Sequence, residues 1–291
     1  MKVAYITDDI YLQHHTGAMH PESPERLVAI NKAIEPLHPS LVLKAPISAS
    51  EHILEFVHSS DHIEMIKNVC AYGGSIDSDT VCSSDSFDAA RMASGAGVVA
   101  LDGIRSGEFE RAFCAVRPPG HHARPEQAMG FCLFNNIAIA ARYAKSIGYE
   151  KVMIIDFDVH HGNGTQEIFY ADDSVFYFSS HQAYIFPGTG AESDIGEGKG
   201  SGYTANFPMM AGTTDNELLD IYEHDLVSAG YDLHESDPLA QLNITTEGIR
   251  SIVRLILDSA DVPFVFFLEG GYNVNALGEN VKVTLKEMMM N

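Results

Sequence analysis

The chain has 291 residues, 45% of them hydrophobic, with 18 basic against 40 acidic side chains and a formal net charge of −22. That charge argues against nucleic acid or an anionic membrane as a partner, because both are polyanions. It is compatible with a cationic ligand, and the apolar content suffices for a sizeable core.

In chain order, KVAYIT (2–7) reads as a strand, and Ser23-Pro24 opens a helix with serine as N-cap and proline at the first helical position. FDAARMASGAGVVALDGI (87–104) is helical in pattern and leads to the strand RAFCAVR (111–117). The helix NNIAIAARYAKSIG (135–148) closes on Gly148 and precedes the strands KVMIIDFDV (151–159), SVFYFSS (174–180), TANFPM (204–209) and DLVSAG (225–230). A last helix, TTEGIRSIVRLILDSA (245–260), runs into the strand PFVFFLEG (263–270). Several strands are apolar on both faces, as buried parallel strands are. Strand alternating with helix predicts a parallel sheet covered on both faces, with ligand sites outside the carboxyl ends of its strands. Nothing resembling a linker or repeat interrupts residues 1–291, so one domain is expected.

The start MKVAYITDDIYLQHH meets Asp8 and Asp9 before a signal-like core can form, and the apolar runs fall short of the ~18 residues of a membrane span. Cys70, Cys82, Cys114 and Cys132 have no CxxC spacing and read as reduced, core-filling thiols of a cytoplasmic protein. Thiolate zinc is not expected.

In IIDFDVHHGNG the strand period of two sends Asp156, Asp158 and His160 to one side, just before a Gly-Asn-Gly turn. Three ionisable groups there would be costly to bury without a cation, and mixed N/O ligation suits zinc or ferrous iron. A catalytic zinc needs a third protein ligand from another strand end, and Asp232, after DLVSAGY, stands in the matching place. Pro118-Pro119-Gly120 fixes the exit of a second histidine pair, His121-His122. An imidazole with a pKa near ~6.5 can take a proton from water and return it to a leaving amine. Tyr272, after two glycines in FVFFLEGGYN, could donate to an oxyanion on a polarised carbonyl.

These segments together resemble the histone deacetylase family, including its bacterial and archaeal members and the acetylpolyamine amidohydrolases. The blocks HPESPERL (20–27), RPPGHHA (117–123), GFCLFNN (130–136), IDFDVHHGNGTQEIFY (155–170), FPGTG (186–190), SAGYDLHESDPLA (228–240) and LEGGYN (268–273) stand in family order. Asn163 places the pattern nearer the class II-like branch. The resemblance implies a single-domain arginase/deacetylase α/β fold with an eight-stranded parallel sheet and helices on both faces. It implies zinc held by Asp158, His160 and Asp232, with ferrous iron as the other candidate, and Tyr272 helping to polarise an N-acetyl amide. By the same resemblance His122 is the general base, and His121 its electrostatic companion oriented by Asp156. The carbonyl of Gly130 and the side chains of Phe131, Phe186 and Leu239 line a channel for an acylated aminoalkyl stem. Potassium is implied at Asp156, Asp158, His160, Ser179 and Ser180.

Two departures stand out. Asn163 occupies a position where other branches carry an aspartate facing the second histidine. The segment 213–232 is also shorter than in the relatives, which bears on the support of Asp232. The implied substrate is acetyl-lysine or an acetylated polyamine. Leu239 stands where polyamine-selective relatives place a glutamate, and Asp79 could bind a substrate amide or simply form a turn. A manganese ureohydrolase would need more aspartates than DFDVHH offers. A catalytically dead metal-binding interaction protein is the other competing class, at odds with a complete set of catalytic residues. The sequence leaves the oligomeric state open, a homo-oligomer included.

Overall fold

Residues 1–222 and 230–290 are described by the computed structural model of the chain. Val3, Ala4, Tyr5 and Ile6 are all buried, and they form the first strand, β1 (Val3–Ile6). It is followed by α1 (Glu25–Ile34), β2 (Leu41–Lys44), α2 (Glu51–Leu54), α3 (Ser60–Tyr72) and a short hairpin of β3 (Gly74–Ser75) and β4 (Val81–Cys82). Next come α4 (Ser86–Arg105), β5 (Arg111–Cys114), α5 (Asn136–Ser146), β6 (Val152–Asp156), α6 (Asn163–Phe169), β7 (Val175–Gln182) and β8 (Thr204–Met209). The remaining elements are α7 (Asp215–Tyr222), α8 (Thr246–Ser259), β9 (Phe264–Phe267) and α9 (Val274–Met290).

The long strands are parallel, as their two-sided apolar character requires, in the orders β2-β1-β5-β9 and β6-β7-β8. Tyr5, Phe113 and Phe266 share one row of the first group, and their rings stack at 6.3 and 6.5 Å. Among the described residues the strands form a group of four and a group of three, with no backbone ladder between β9 and β6, so one sheet of eight is not shown. The strand expected at 225–230 falls, all but Gly230, outside the described residues. What does lie between the two groups is the stretch 230–232: the Tyr231 amide donates to the Gly270 carbonyl at 3.3 Å, and the Val159 amide to Asp232 Oδ1 at 2.8 Å.

Helix starts follow the capping residues. Asn135 accepts from the Ala138 amide and Thr245 from that of Gly248. At α1 the cap falls on Pro24 rather than Ser23: proline, already at a helical φ of −54°, leads the helix without a side-chain cap. The four cysteines are free and buried. Among the described residues no helix is long and apolar enough to cross a membrane.

A buried ionic knot ties three distant blocks together. Glu22, with no exposed surface, receives Arg117 through Nε (2.5 Å) and Nη2 (2.7 Å), and Arg26 through Nη1 (3.1 Å). Both guanidiniums spend their remaining donors on main-chain carbonyls, Arg117 on Tyr11 and His14, Arg26 on Glu269 and Gly271. Removing the shared anion would strand two buried cations, an event that costs about 3–5 kcal/mol. Glu22→Ala is therefore expected to lower stability by about that amount in a denaturant titration; a change below 1 kcal/mol would show the knot to be solvated.

Candidate active site

β6 ends on Asp156, opposite Ser179 of β7, and the chain then leaves the strand, so Asp158 and His160 are set by backbone bonds rather than by pleat. Asp158 is held by two amides, Gly270 to Oδ2 at 2.7 Å and His160 to Oδ1 at 2.9 Å. Asp232 comes from the 230–232 stretch and is fixed by the Val159 amide. One ligand atom each from Asp158, His160 and Asp232 lie within 4.8 Å of one another. His160 Nδ1 is 3.0 Å from Asp232 Oδ2 and 3.3 Å from Asp158 Oδ1. A Cβ at position 270 would sit 2.1 Å from Asp232 Oδ2 and 2.5 Å from Asp158 Oδ2, so only glycine admits the two carboxylates here.

The charge state of this cluster tests whether a cation fits. Burial, joined by the charge of Asp158, pushes the Asp232 carboxyl up to about 7. Burial disfavours a charged His160, yet hydrogen bonds to Asp158 and Asp232 outweigh it and raise the ring to about 10. Asp158 is held well below the carboxylate range, its burial outweighed by His121 and His160. With protons as the only positive charge at hand, Asp232 thus tends to take one up and His160 to stay charged. An Asp-His-Asp donor set with that demand fits a divalent ion of the zinc or iron(II) type.

The tandem histidines carry opposite biases. His121 Nδ1 lies 2.9 Å from Asp156 Oδ2, which also accepts from the Tyr177 hydroxyl at 3.2 Å. Burial works against protonation of His121, but Asp156 and Asp158 prevail and hold its pKa well above the usual value. His122 is pulled well below that value by burial and by the cationic His121 and His160. Its Nδ1 meets Asn163 Oδ1 at 2.9 Å, while the amide nitrogen of Asn163 faces Met129 Sδ at 3.5 Å. That orientation makes Nδ1 the donor and leaves Nε2 of His122 as a free base.

Tyr272 is placed through its backbone: Asp237 Oδ2 accepts from the Tyr272 amide (2.7 Å) and the Asn273 amide (3.3 Å), and Oδ1 from Leu239 (3.0 Å). Burial, Asp232 and Asp158 raise the phenol well above its usual pKa, so it stays a donor. The Phe131 ring stands 5.8 Å away, edge-on. Gly130, at φ +56°, lies against His122 and Phe186; a Cβ there would be 2.5 Å from His122 Cδ2 and 2.9 Å from Phe186 Cε1. Phe186 and Leu239 are 42% and 39% exposed, as side chains at a channel mouth would be.

For Asp79 the turn falls to its neighbour: Asp77 Oδ1 accepts from the Asp79 and Thr80 amides. The Asp79 carboxyl instead meets Thr80 Oγ1, which accepts from the Phe131 amide at 3.3 Å. Ser179 Oγ pairs with His181 Nδ1 at 2.9 Å, and Ser180 Oγ bonds the Tyr222 hydroxyl. Asp237, Glu269 and the Glu22 knot escaped sequence reasoning, although all lie within the quoted blocks. The available signal was a carboxylate inside a glycine- or proline-rich block with no surface to solvate it.

Parallel strand ends that gather Asp158, His160 and Asp232 within 4.8 Å of one another, beside the His121-His122 pair, define a site able to hold a metal ion. Residues 20–288 match the family model for the histone deacetylase domain, and the chain belongs to the histone deacetylase family. It is 37% identical to histone deacetylase 14, chloroplastic, of Arabidopsis thaliana, over 94% of this chain and 74% of that one. It is 35% identical to the histone deacetylase-like amidohydrolase of Pseudomonas aeruginosa, over 90% of this chain and 75% of the relative. The crystal structure of the HDA15 HD domain superposes with a TM-score of 0.95 at 33% identity, covering 99% of this chain and 91% of that domain.

Two outcomes follow from the geometry. Gly270→Ala should displace a carboxylate and reduce bound metal well below one equivalent by elemental analysis; full loading would mean that the loop yields freely. Asn163→Asp should raise the pKa of His122. Because a base works deprotonated, the acidic limb of the kcat/KM profile should move to higher pH; an unmoved limb would deny His122 that role.

Proposed function

We propose that this histone deacetylase-family hydrolase is a zinc-dependent deacetylase that cleaves the N-acetyl amide of acetyl-lysine, or of a similar acetylated aminoalkyl group, to acetate and free amine. The observation that carries the reading is the convergence of Asp158, His160 and Asp232 within 4.8 Å beside the neutral His122. Zinc held by those three side chains would supply Lewis acidity toward the amide carbonyl and the attacking water.

The remaining work belongs to the chain itself. His121, kept cationic by Asp156, has no free site for a further proton, so proton transfer falls to Nε2 of His122. That nitrogen takes the proton of the attacking water and delivers it to the departing amine, which would otherwise leave as an unstable anion. Tyr272, still protonated, donates to the oxygen on which negative charge develops. Gly130, Phe131, Phe186 and Leu239 form the wall along the substrate stem, and Asp79 is offered to a substrate amide. In the same reading potassium sits at Asp156, Asp158, His160, Ser179 and Ser180, offsetting part of the buried negative charge.

Leu239 supports acetyl-lysine over an acetylated polyamine, because an aliphatic wall gives a distant ammonium no counter-charge. A panel of an acetyl-lysine amide, acetylputrescine and acetylspermidine, run with zinc-loaded protein, is expected to release acetate fastest from the first. No acetate from any of them would sink the reading. Tyr272→Phe is expected to keep its metal while kcat falls by about 10²–10³-fold, the range for a lost oxyanion donor; near-normal turnover would remove Tyr272 from the mechanism.

A further inference from the structure

One buried group in the site has no part in the chemistry just described. Glu269 follows β9, is 2% exposed, and is not one of the three side chains gathered as possible metal ligands. Its Oε2 accepts two consecutive main-chain donors, the Gly120 amide at 2.7 Å and the His121 amide at 3.2 Å. Its Oε1 is buried without a partner among the described residues. From its own backbone the neighbouring Gly270 amide holds Asp158, and the Arg26 guanidinium grips the carbonyls of residues 269 and 271.

We infer that Glu269 is a positioning residue for the tandem histidines: its carboxylate locks the peptide that enters His121-His122 to the same strand end that supports Asp158. This inference rests on the deacetylase reading for its kinetic consequence, though not for its structural one. The far side of the histidine pair is already fixed, since the His121 carbonyl accepts from the Thr165 amide at 3.1 Å and from Asn135 Nδ2 at 3.4 Å. Without Glu269 the Gly120 and His121 amides would lose their acceptor, and the turn would rest on the donors to the His121 carbonyl, the Ala123 amide on the Gly120 carbonyl and the ring bonds to Asp156 and Asn163, about which the peptide could pivot. A pivot displaces the ring of His122 relative to the bound amide, and errors of about 1 Å in such placement cost on the order of 10²-fold in rate. Substrate binding along Gly130, Phe131 and Phe186 would be touched much less.

Two variants and two readouts test this. Glu269→Ala removes both acceptors and should lower kcat about 10- to 100-fold with KM within about threefold. Glu269→Gln keeps an acceptor oxygen for the two amides, and its NH₂ takes the place of an oxygen that is already unpartnered, so it should recover most of the loss. Hydrogen exchange of the peptide spanning 116–123, followed by mass spectrometry, should accelerate in the alanine variant and return toward wild type in the glutamine variant. Unchanged exchange in Glu269→Ala overturns the anchoring whatever the activity. A glutamine variant as slow as alanine shows that charge, not the amide anchor, matters, and also overturns it. Equal damage to kcat and KM in both variants, with a lowered melting temperature, would reduce Glu269 to general packing. An inactive wild-type enzyme with the expected exchange pattern would instead overturn the deacetylase reading and leave the anchor standing.

Discussion

Asp156, Asp158, Asp232 and Glu269 are all nearly or wholly withdrawn from water within one corner of the molecule. Unpaired carboxylates in such a place would unfold the corner or take up protons, because desolvation penalises each of them. Most of the local architecture is an answer to that penalty. Backbone amides from Gly270, His160 and Val159 point at the ligand carboxylates, those of Gly120 and His121 at Glu269, and two imidazoles add positive charge. What the protein does not supply is enough positive charge to hold Asp232 at the usual carboxylate value, since burial and Asp158 push it up to about 7, and that shortfall is the physical argument for the proposed cation site.

The same field separates two chemically identical neighbours. His121 and His122 have ring centroids 4.0 Å apart, yet one faces carboxylates and the other an amide. The first ring is charged by its partners and, once charged, helps to keep the second neutral. An imidazole biased toward the neutral form, as the proposed base requires, is thereby made from a pair of residues, with Asn163 fixing which nitrogen is free. An asparagine suffices for that task because it orients the ring without raising its pKa as a carboxylate would.

Precision at the centre depends on fixing backbone rather than side chains alone. Glu22 joins Arg26 and Arg117, Arg26 clamps the turn that carries Gly270 and Tyr272, and Asp237 binds the amides of Tyr272 and Leu239. The loops of the candidate site are thus tied to one another by buried charge, which is stiffer than a solvated contact because each partner would be costly to leave alone.

The sequence by itself determined the parallel α/β class and the candidate residues Asp158, His160 and Asp232 that come together as a possible metal site, because two-sided apolar runs and ionisable clusters at their ends are local patterns. Asp156, Asp158, His160 and the tandem histidines were legible for that reason. Short strands such as β2 and the β3–β4 hairpin were not, since only Leu41 of β2 is buried and β3 and β4 have two residues each, which leaves no apolar run to stand out. The grouping of the described strands into four and three, the bond of Glu269 to Gly120 and His121, and the opposite pKa shifts of His121 and His122 were decided only by tertiary structure. They arise between groups dozens to more than a hundred residues apart, and their energies come from burial, which no stretch of sequence possesses until the chain has folded around it.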